Sequence, residues 1–577
     1  MRLLRSSRLG RQLVLALGAT LLATPSLAEW PAGGVVVSGS WSKASRALQL
    51  FPDAQGGVSL GWDWCGGAGS YPFGRLQRLD ADGIAQTGWD PPVSPATSDE
   101  TWQRQVLRAS DGSLFTTYRQ WDGLAIWLRH HMADASVAPG FPAAGLVLGT
   151  GSSNARLSFP AVAPDDSGGV YVAWQQELLT TFKCRVWLTR RRADGGLAPG
   201  WSAAGKLVAE FPYWPFTGPP ALVRDGASGV IIVFGDDATA RAKRFGPDGT
   251  ATPGWPASGL SLTNVADEDG NAAAVQVVES GAGHWIAVWK DDPAGAHRVA
   301  MQRFGSDGTL DSAWPAAGVV LAQSADDKQS LSIVTDGSDG AIATWASLSA
   351  DARATRVLAN GSLAPGWPPA GRPLLSDGNL PNGGGAGSFA IAPTPTGGLV
   401  FAWIHISAVD LATSPRVRWL LSDGTSDPAG PDTGLVIPHE RQPRAMLGAM
   451  PDGAGGAIVG WELPDMTGIL SYLVLSRVIH APVLASPPIA PTIRSIALAP
   501  NPATHVLDVS FANENAEPAD VQLFDLGGRC VREVQARGIG QQVVRFDALD
   551  RLSPGIYLVR VVQGTAVARI ARVAVVH

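Results

Sequence analysis

Cysteine is nearly absent from this chain, with three in 577 residues, and Cys65, Cys184 and Cys530 lie far apart with no metal-type pair among them. Cys65 and Cys184 fall two repeats apart, which argues against a disulfide, so stability has to come from packing. Charge is also scarce: 16% of residues are charged, against a usual quarter. With 45% hydrophobic residues, that balance excludes a disordered chain. The net charge is −6 and no basic run follows the N-terminus, which argues against nucleic acid or an anionic membrane as partner. Beyond the first residues no apolar stretch reaches the length of a transmembrane span. Catalytic signatures are missing as well. There is no Gly-x-Ser-x-Gly elbow, phosphate loop, dinucleotide fingerprint or Ser-x-Asp-x-Gly-x-Thr-Trp box. No catalytic residue, cofactor or metal is therefore assigned, and the chain reads as not an enzyme.

What is present is punctuation. Gly (68) and Pro (43) are abundant, as short strands with many tight turns require. Residues 1–28 read as a secretory signal peptide: Arg2, Arg5, Arg8 and Arg11, an apolar run Leu13 to Ala23, then Ser26-Leu27-Ala28. After it, eight aromatics recur: Trp62, Tyr118, Trp174, Phe234, Trp289, Trp345, Trp403 and Trp461, with a mean step of 57 residues. Most close the same phrase, of which Asp166-Ser167-Gly168-Gly169-Val170-Tyr171-Val172-Ala173-Trp174 is the clearest. A turn followed by an apolar run closed by an aromatic reads as a short buried strand. A second landmark is an Asp-Gly or Asn-Gly turn, at Asp82-Gly83, Asp194-Gly195, Asp248-Gly249, Asp307-Gly308, Asn360-Gly361 and Asp423-Gly424. Both residues tolerate the positive φ of tight turns. An aromatic-centred loop follows at Trp89, Phe141, Trp201, Trp255, Trp314 and Trp367.

Four strands per unit follow; in the third they are Gly145 to Leu148, Leu157 to Ala163, Gly169 to Trp174 and Arg185 to Arg191. The chain enters residues 29–480 on a first-type strand (Val35 to Val37) and leaves on a fourth-type strand (Leu473 to Ile479), which predicts eight repeats of about 57 residues. One four-stranded sheet cannot cover both its faces; radial stacking does, which favours a propeller over a linear solenoid. The units resemble a family of secreted bacterial propeller-type repeats, in which D-G-x-G-G-apolar-W alternates with R-x-x-x-D-G-x-x-x-x-W and G-V-x-L.

Residues 481–493 are a proline-rich linker (Ala481-Pro482-Val483-Leu484-Ala485-Ser486-Pro487-Pro488 opens it), and 494–577 lack the repeat. Seven short strand-like runs there suggest a small immunoglobulin-like β-sandwich. The fold class is thus all-β, an eight-bladed β-propeller of four-stranded blades followed by that sandwich. Pro500-Asn501-Pro502-Ala503, Phe524-Asp525-Leu526-Gly527-Gly528-Arg529 and Leu552-Ser553-Pro554-Gly555-Ile556-Tyr557 resemble the C-terminal sorting domain of type IX secretion cargo. The immunoglobulin-like domain of flagellar hook-capping proteins shares two of these phrases, but carries Pro-Asn-Pro-Phe where this chain has Pro-Asn-Pro-Ala. The sorting resemblance implies the type IX secretion machinery as partner and a secreted or outer-membrane-associated cell-surface location.

Few constellations carry chemistry. Arg78, Arg190, Arg244, Arg303 and Arg356 stand five residues ahead of a turn glycine, and Arg418 six ahead; recurrence in unit after unit favours a framework role. His130-His131 sit on one strand, point to opposite faces and cannot chelate one metal. Asp267-Glu268-Asp269-Gly270-Asn271 and Asp80-Ala81-Asp82-Gly83 lack the spacing of a calcium loop. Irregular aromatic loops are the remaining signal, and Trp64, Tyr71, Phe73, Tyr213 and Trp214 are the ligand-binding candidates, suited to stacking on sugar rings or apolar peptide groups. The functional expectation is a binding or scaffold protein with an extracellular polysaccharide or protein ligand. The alternatives are a carbohydrate-active hydrolase or lyase and a structural adhesion or surface-layer component. Convergent acids, or Tyr with His, in one mouth of the channel would favour the enzyme, and a mouth lined only by Gly, Ala and Ser would favour a scaffold.

Overall fold

The computed structural model describes residues 30–478 and 496–577, apart from short internal stretches, the longest being 264–272 and 376–388. The proposed signal peptide, the linker and the Asp267–Asn271 acids lie outside the described residues. Two compact units are present, Met1–Pro482 and Val483–His577.

The first unit is a ring of antiparallel sheets. Blade 3 shows the pattern: Ala155–Pro164, Val170–Leu178, Lys183–Arg191 and Lys206–Pro212 pair in sequence order. Blades 2 and 4 to 7 repeat it, starting at Thr101, Ala221, Ala273, Lys328 and Phe389. Blade 1 has three strands (Arg46–Pro52, Val58–Cys65, Pro72–Leu79), with Val93 bridging Leu76 at the fourth place. Blade 8 takes three strands from the end of the unit and its fourth from the beginning: Val35 pairs with Leu475 and Val36 with Val474. First strands of neighbouring blades contact one another around the ring, including those of blades 8 and 1. That is an eight-bladed propeller closed on itself.

Blade and sequence repeat are out of phase by one strand. The strand expected to open the third unit, Gly145 to Leu148, is the outer strand of blade 2 (Leu146–Thr150), paired with Ala125–His131. This offset lets Val35–Val36 close the ring, because the first repeat supplies a strand that only the last blade can use.

Repeated residues account for the packing. All eight period-setting aromatics are buried on second strands. The glycine that opens the outer strand makes room for the ring: a Cβ on Gly205 would lie 3.2 Å from Trp174 Cη2, and one on Gly371 2.7 Å from Trp345 Cη2. The turn between first and second strands is closed by its aspartate. Asp165 Oδ1 accepts from Ser167 N (2.8 Å) and Gly169 N (2.6 Å), and Asp225 Oδ1 accepts likewise from Ala227 N and Gly229 N. Glycine is required at the end of this turn, since a Cβ on Gly169 would meet Arg191 O at 2.3 Å.

The recurring arginines are framework. Nε of Arg190, Arg244, Arg356 and Arg477 donates to Asp165, Asp225, Asp336 and Asp452 at 3.0, 2.9, 2.8 and 3.2 Å. Their Nη1 atoms reach carbonyls of the next blade: Pro247, Ser306, Ser422 and, across the closure, Ala81. The loop tryptophans Trp201, Trp255, Trp367 and Trp30 donate to those same four carbonyls. Each of these four seams is therefore tied by one carbonyl shared between a guanidinium and an indole.

The second unit has a three-stranded sheet (Ile496–Ala499, Leu507–Asn513, Gly540–Phe546) and a four-stranded sheet (Cys530–Ala536, Ala519–Phe524, Gly555–Gln563, Ala566–Val575). Both sheets contribute to one core that includes Val509, Phe511, Val521, Leu523, Val559 and Val561. The Pro-Asn-Pro-Ala phrase clamps the last strand: Asn501 donates to Arg572 O and accepts from Ala574 N, both at 3.0 Å. Tyr557 donates its hydroxyl to Ser553 O at 2.8 Å.

Candidate functional site

Turns between first and second strands all lie at one end of the propeller, and aligning the eight of them shows where the repeat is broken. The residue just before the turn is proline in four blades (Pro52, Pro164, Pro393, Pro451), as suits the end of a strand where no ladder donor is needed. In blades 2, 4, 5 and 6 it is Arg108, Arg224, Glu279 and Thr335. The turn's second residue is Asp166 in blade 3, against glycine in blades 4, 5, 6 and 8 (Gly226, Gly281, Gly337, Gly453) and Ala54, Ser110 and Pro395 in blades 1, 2 and 7. Its fourth is Asp339 in blade 6 and Ser228 in blade 4, against Gly56, Gly112, Gly168, Gly283, Gly397 and Gly455. Asp166 and Asp339 take φ of 58° and 63°, a left-handed conformation natural to glycine and tolerated by aspartate. Trp285 in blade 5 stands where the other blades carry Val, Leu or Ala.

The departures of blades 3 to 6 meet in one cavity of about 660 Å³, formed by their four successive turns. Its walls include Asp166, Arg224, Glu279, Trp285, Thr335 and Asp339, over a floor of Gly226, Gly281, Gly283 and Gly337. Arg224 pairs with Glu279 through both Nε and Nη2 (Nη2 to Oε2 3.3 Å) and lies 3.7 Å from Asp166 Oδ1. The bond to Glu279 raises the Arg224 pKa further above its ordinary value. Trp285 donates its indole N–H to Arg224 O at 3.1 Å and so fixes the strand end that presents the guanidinium. Three carboxylates and one guanidinium leave the cavity net negative, rich in acceptors and repellent to anions. Asp225 also lines it, but its carboxylate is consumed by its own turn and Arg244.

Two of the aromatic candidates, Trp64 and Phe73, fall elsewhere. Trp64 and Phe73 are paired partners on the second and third strands of blade 1, at the end away from these turns. Phe73 is half-buried, with the Arg75 guanidinium 5.9 Å from its ring centre. Tyr71, Tyr213 and Trp214 lie outside the described residues. Sequence reading missed Arg224, Glu279 and Asp339; comparison of the turn columns across repeats was the signal that would have found them.

His130 and His131 do face opposite ways. His130 occupies the framework-arginine position of blade 2, bonding Ser113 Oγ (2.7 Å) and Ala193 O (2.9 Å) through its two ring nitrogens. Among the described residues no three His, Cys, Asp or Glu side chains gather as a metal site, and no helix is long and apolar enough to cross a membrane. Cys184 is free and buried, and Cys530 is free and exposed.

Residues 497–575 match the family described as the secretion system C-terminal sorting domain. The C-terminal unit is therefore a type IX sorting domain, and the protein is exported to the cell surface or the medium by that machinery. No curated protein matches the chain. Among solved structures it is similar to apo prolyl oligopeptidase B from Galerina marginata (9% identity, TM-score 0.35, 72% of this chain and 56% of that one). It is also similar to an exo-β-1,3-galactanase from Phanerochaete chrysosporium solved with galactose (8%, 0.28, 94% and 99%). An α-L-arabinofuranosidase from Fusarium graminearum matches at 11% identity and TM-score 0.30, over 66% of this chain and 92% of that one. The chain spans about half the length of the prolyl endopeptidases it matches. These likenesses concern β architecture. The expectation that the chain is not an enzyme is withdrawn: the solved structures it is similar to include glycoside hydrolases and peptidases, and a missing motif excludes no activity. The physical reason is that acids drawn from separate loops leave no contiguous motif to search for.

Proposed function

We propose that this protein is a surface-displayed or released propeller that engages an extracellular carbohydrate in the four-turn cavity of blades 3 to 6. The observation that carries this reading is the clustering of symmetry-breaking residues. Framework positions repeat, whereas Asp166, Glu279, Trp285, Thr335 and Asp339 each occur at their position in one blade alone and share one cavity with Arg224. Sugar hydroxyls are donors that carboxylates accept well, and a side-chain-free glycine floor admits a ring close to the backbone. A second reading, a carbohydrate-active hydrolase at the same cavity, is favoured by the convergence of Asp166, Glu279 and Asp339. Glu279, paired with Arg224, would then serve as base or nucleophile.

One panel tests both. The mature chain is titrated calorimetrically against neutral and acidic oligosaccharides, and each mixture is assayed for new reducing ends. Glu279→Gln and Arg224→Gln should weaken binding or turnover about tenfold or more, while Trp64→Ala leaves both unchanged. Loss on Trp64→Ala with retention in the cavity variants would move the site to the aromatic loops.

The remaining organisation completes the proposal: residues 1–28 are a cleaved signal peptide, 29–480 the propeller, 481–493 a linker and 494–577 an immunoglobulin-like delivery module. Deleting 494–577 should leave 29–480 folded and abolish surface display in a host with type IX export. Normal display of the truncated chain would refute the delivery role.

A further inference from the structure

The framework arginines are their own control. Four of them hold a turn carboxylate within 2.8–3.2 Å of Nε. Arg78, the blade 1 member, is as deeply placed, only 7% exposed. Among the described residues its one hydrogen bond runs from Nη1 to Ala133 O at 2.9 Å, and its Nε is buried without a partner. Asp53, in the matching turn, keeps Oδ1 on Gln55 N and Gly57 N and does not bond Arg78.

A second guanidinium aggravates the imbalance. Arg108 of blade 2 occupies the pre-turn column that is proline in four blades, and its Nε too is buried without a partner among the described residues. Both side chains converge on the blade 2 turn: a Cβ on Gly112 would lie 3.4 Å from Arg78 Nη2 and 3.6 Å from Arg108 Nη2. Gly112 itself, at φ 84°, has no side chain to fill that space. Burial, then the Arg108 charge, hold Arg78 below the usual arginine range, opposed only in part by Asp53. A cavity of about 570 Å³ opens beside Arg78. The carboxylates that line it, Asp80 and Asp134, are bonded within their own turns, to Asp82 N and Ile84 N and to Ser136 N and Oγ.

Buried charges in folded proteins are paired, and planar guanidinium forks match oxyanions. We propose that Arg78 and Arg108 together bind an oxyanion group, a carboxylate or a sulfate, over the Gly112 turn, in the role that turn aspartates play in blades 3, 4, 6 and 8. This site is separate from the net-negative cavity of blades 3 to 6 and stands without it.

The test uses the mature full-length chain titrated with sodium sulfate, sodium acetate and sodium glucuronate against sodium chloride at matched ionic strength. Binding is read by calorimetry and by the rise in unfolding temperature. Arg108 is half-buried, so Arg108→Gln should fold, as checked by circular dichroism; Arg192→Gln removes an exposed arginine as control. The proposal requires saturable binding of at least one oxyanion to the parent and to Arg192→Gln, weakened about tenfold or more by Arg108→Gln. Sulfate binding as tightly as glucuronate marks a site for the free ion, and a clear preference for glucuronate over acetate marks a sugar acid. Saturation by none of the three, or equal titration of Arg108→Gln and the parent, overturns it.

Discussion

Trp174→Ala probes the packing on which the ring depends. Trp174 is 2% exposed and lies in the cluster that joins blades 2 and 3, with Leu128, Leu148, Leu157, Val170 and Val172. A buried tryptophan removes roughly 200 Å² from water, which at about 25 cal/mol per Å² is about 5 kcal/mol, an upper bound because the unfolded chain is not fully extended. Large-to-small core substitutions lose about 3–5 kcal/mol, and that range is the expectation here. Strands on either side, Leu146–Thr150 and Ala155–Pro164, leave little freedom for collapse into the space. Urea unfolding followed by far-ultraviolet circular dichroism gives the loss from the midpoint, with the slope unchanged. Trp174→Phe, keeping most of the ring volume, should lose less. A midpoint for Trp174→Ala within about 1 kcal/mol of the parent would show that the repeat aromatics do not hold the blades together.

Asp225→Ala removes both a turn cap and the buried partner of Arg244, and should destabilise by about 3–5 kcal/mol in the same urea assay; Thr394→Ala, at the matching position without an ion pair, should lose about 1 kcal/mol. Burial, helped by Arg129 and His130, pushes the His131 pKa down to about 4. The folded state thus holds His131 neutral, so stability is full above pH 6.5 and falls as pH drops towards 4, by up to about 3 kcal/mol. His131→Leu should flatten that limb of the stability–pH curve, and an unchanged curve would contradict the assignment. Burial likewise pushes the Cys184 thiol up to about 12, so a thiol reagent should label Cys530 in the native protein and Cys184 only after unfolding.

Framework was legible in the sequence because framework repeats. Trp174 and its seven counterparts, the Asp-Gly turns and the loop tryptophans recur at one period, and all mark places where backbone or ring has a single solution. The phase of the blades was not legible. Leu146 to Leu148 looks alike whether it opens one sheet or closes the one before, and only long-range pairing, such as Val35 with Leu475, decides. The cavity was hidden for a related reason. Its residues come from four turns spread between Asp166 and Asp339, and each looks unremarkable until set against its own column. Aromatic density drew attention to Trp64 and Phe73 instead, at the far end of blade 1 from those turns.

Hydrogen exchange on the full chain, with and without the tightest-binding oligosaccharide of the panel, tests the placement of the site most directly. The account predicts slowed exchange in the turns around 224–229, 279–285 and 335–340, with the strands beneath unchanged. Protection confined to peptides covering residues 64–73 and 213–214, with those three turns exchanging as before, would contradict it.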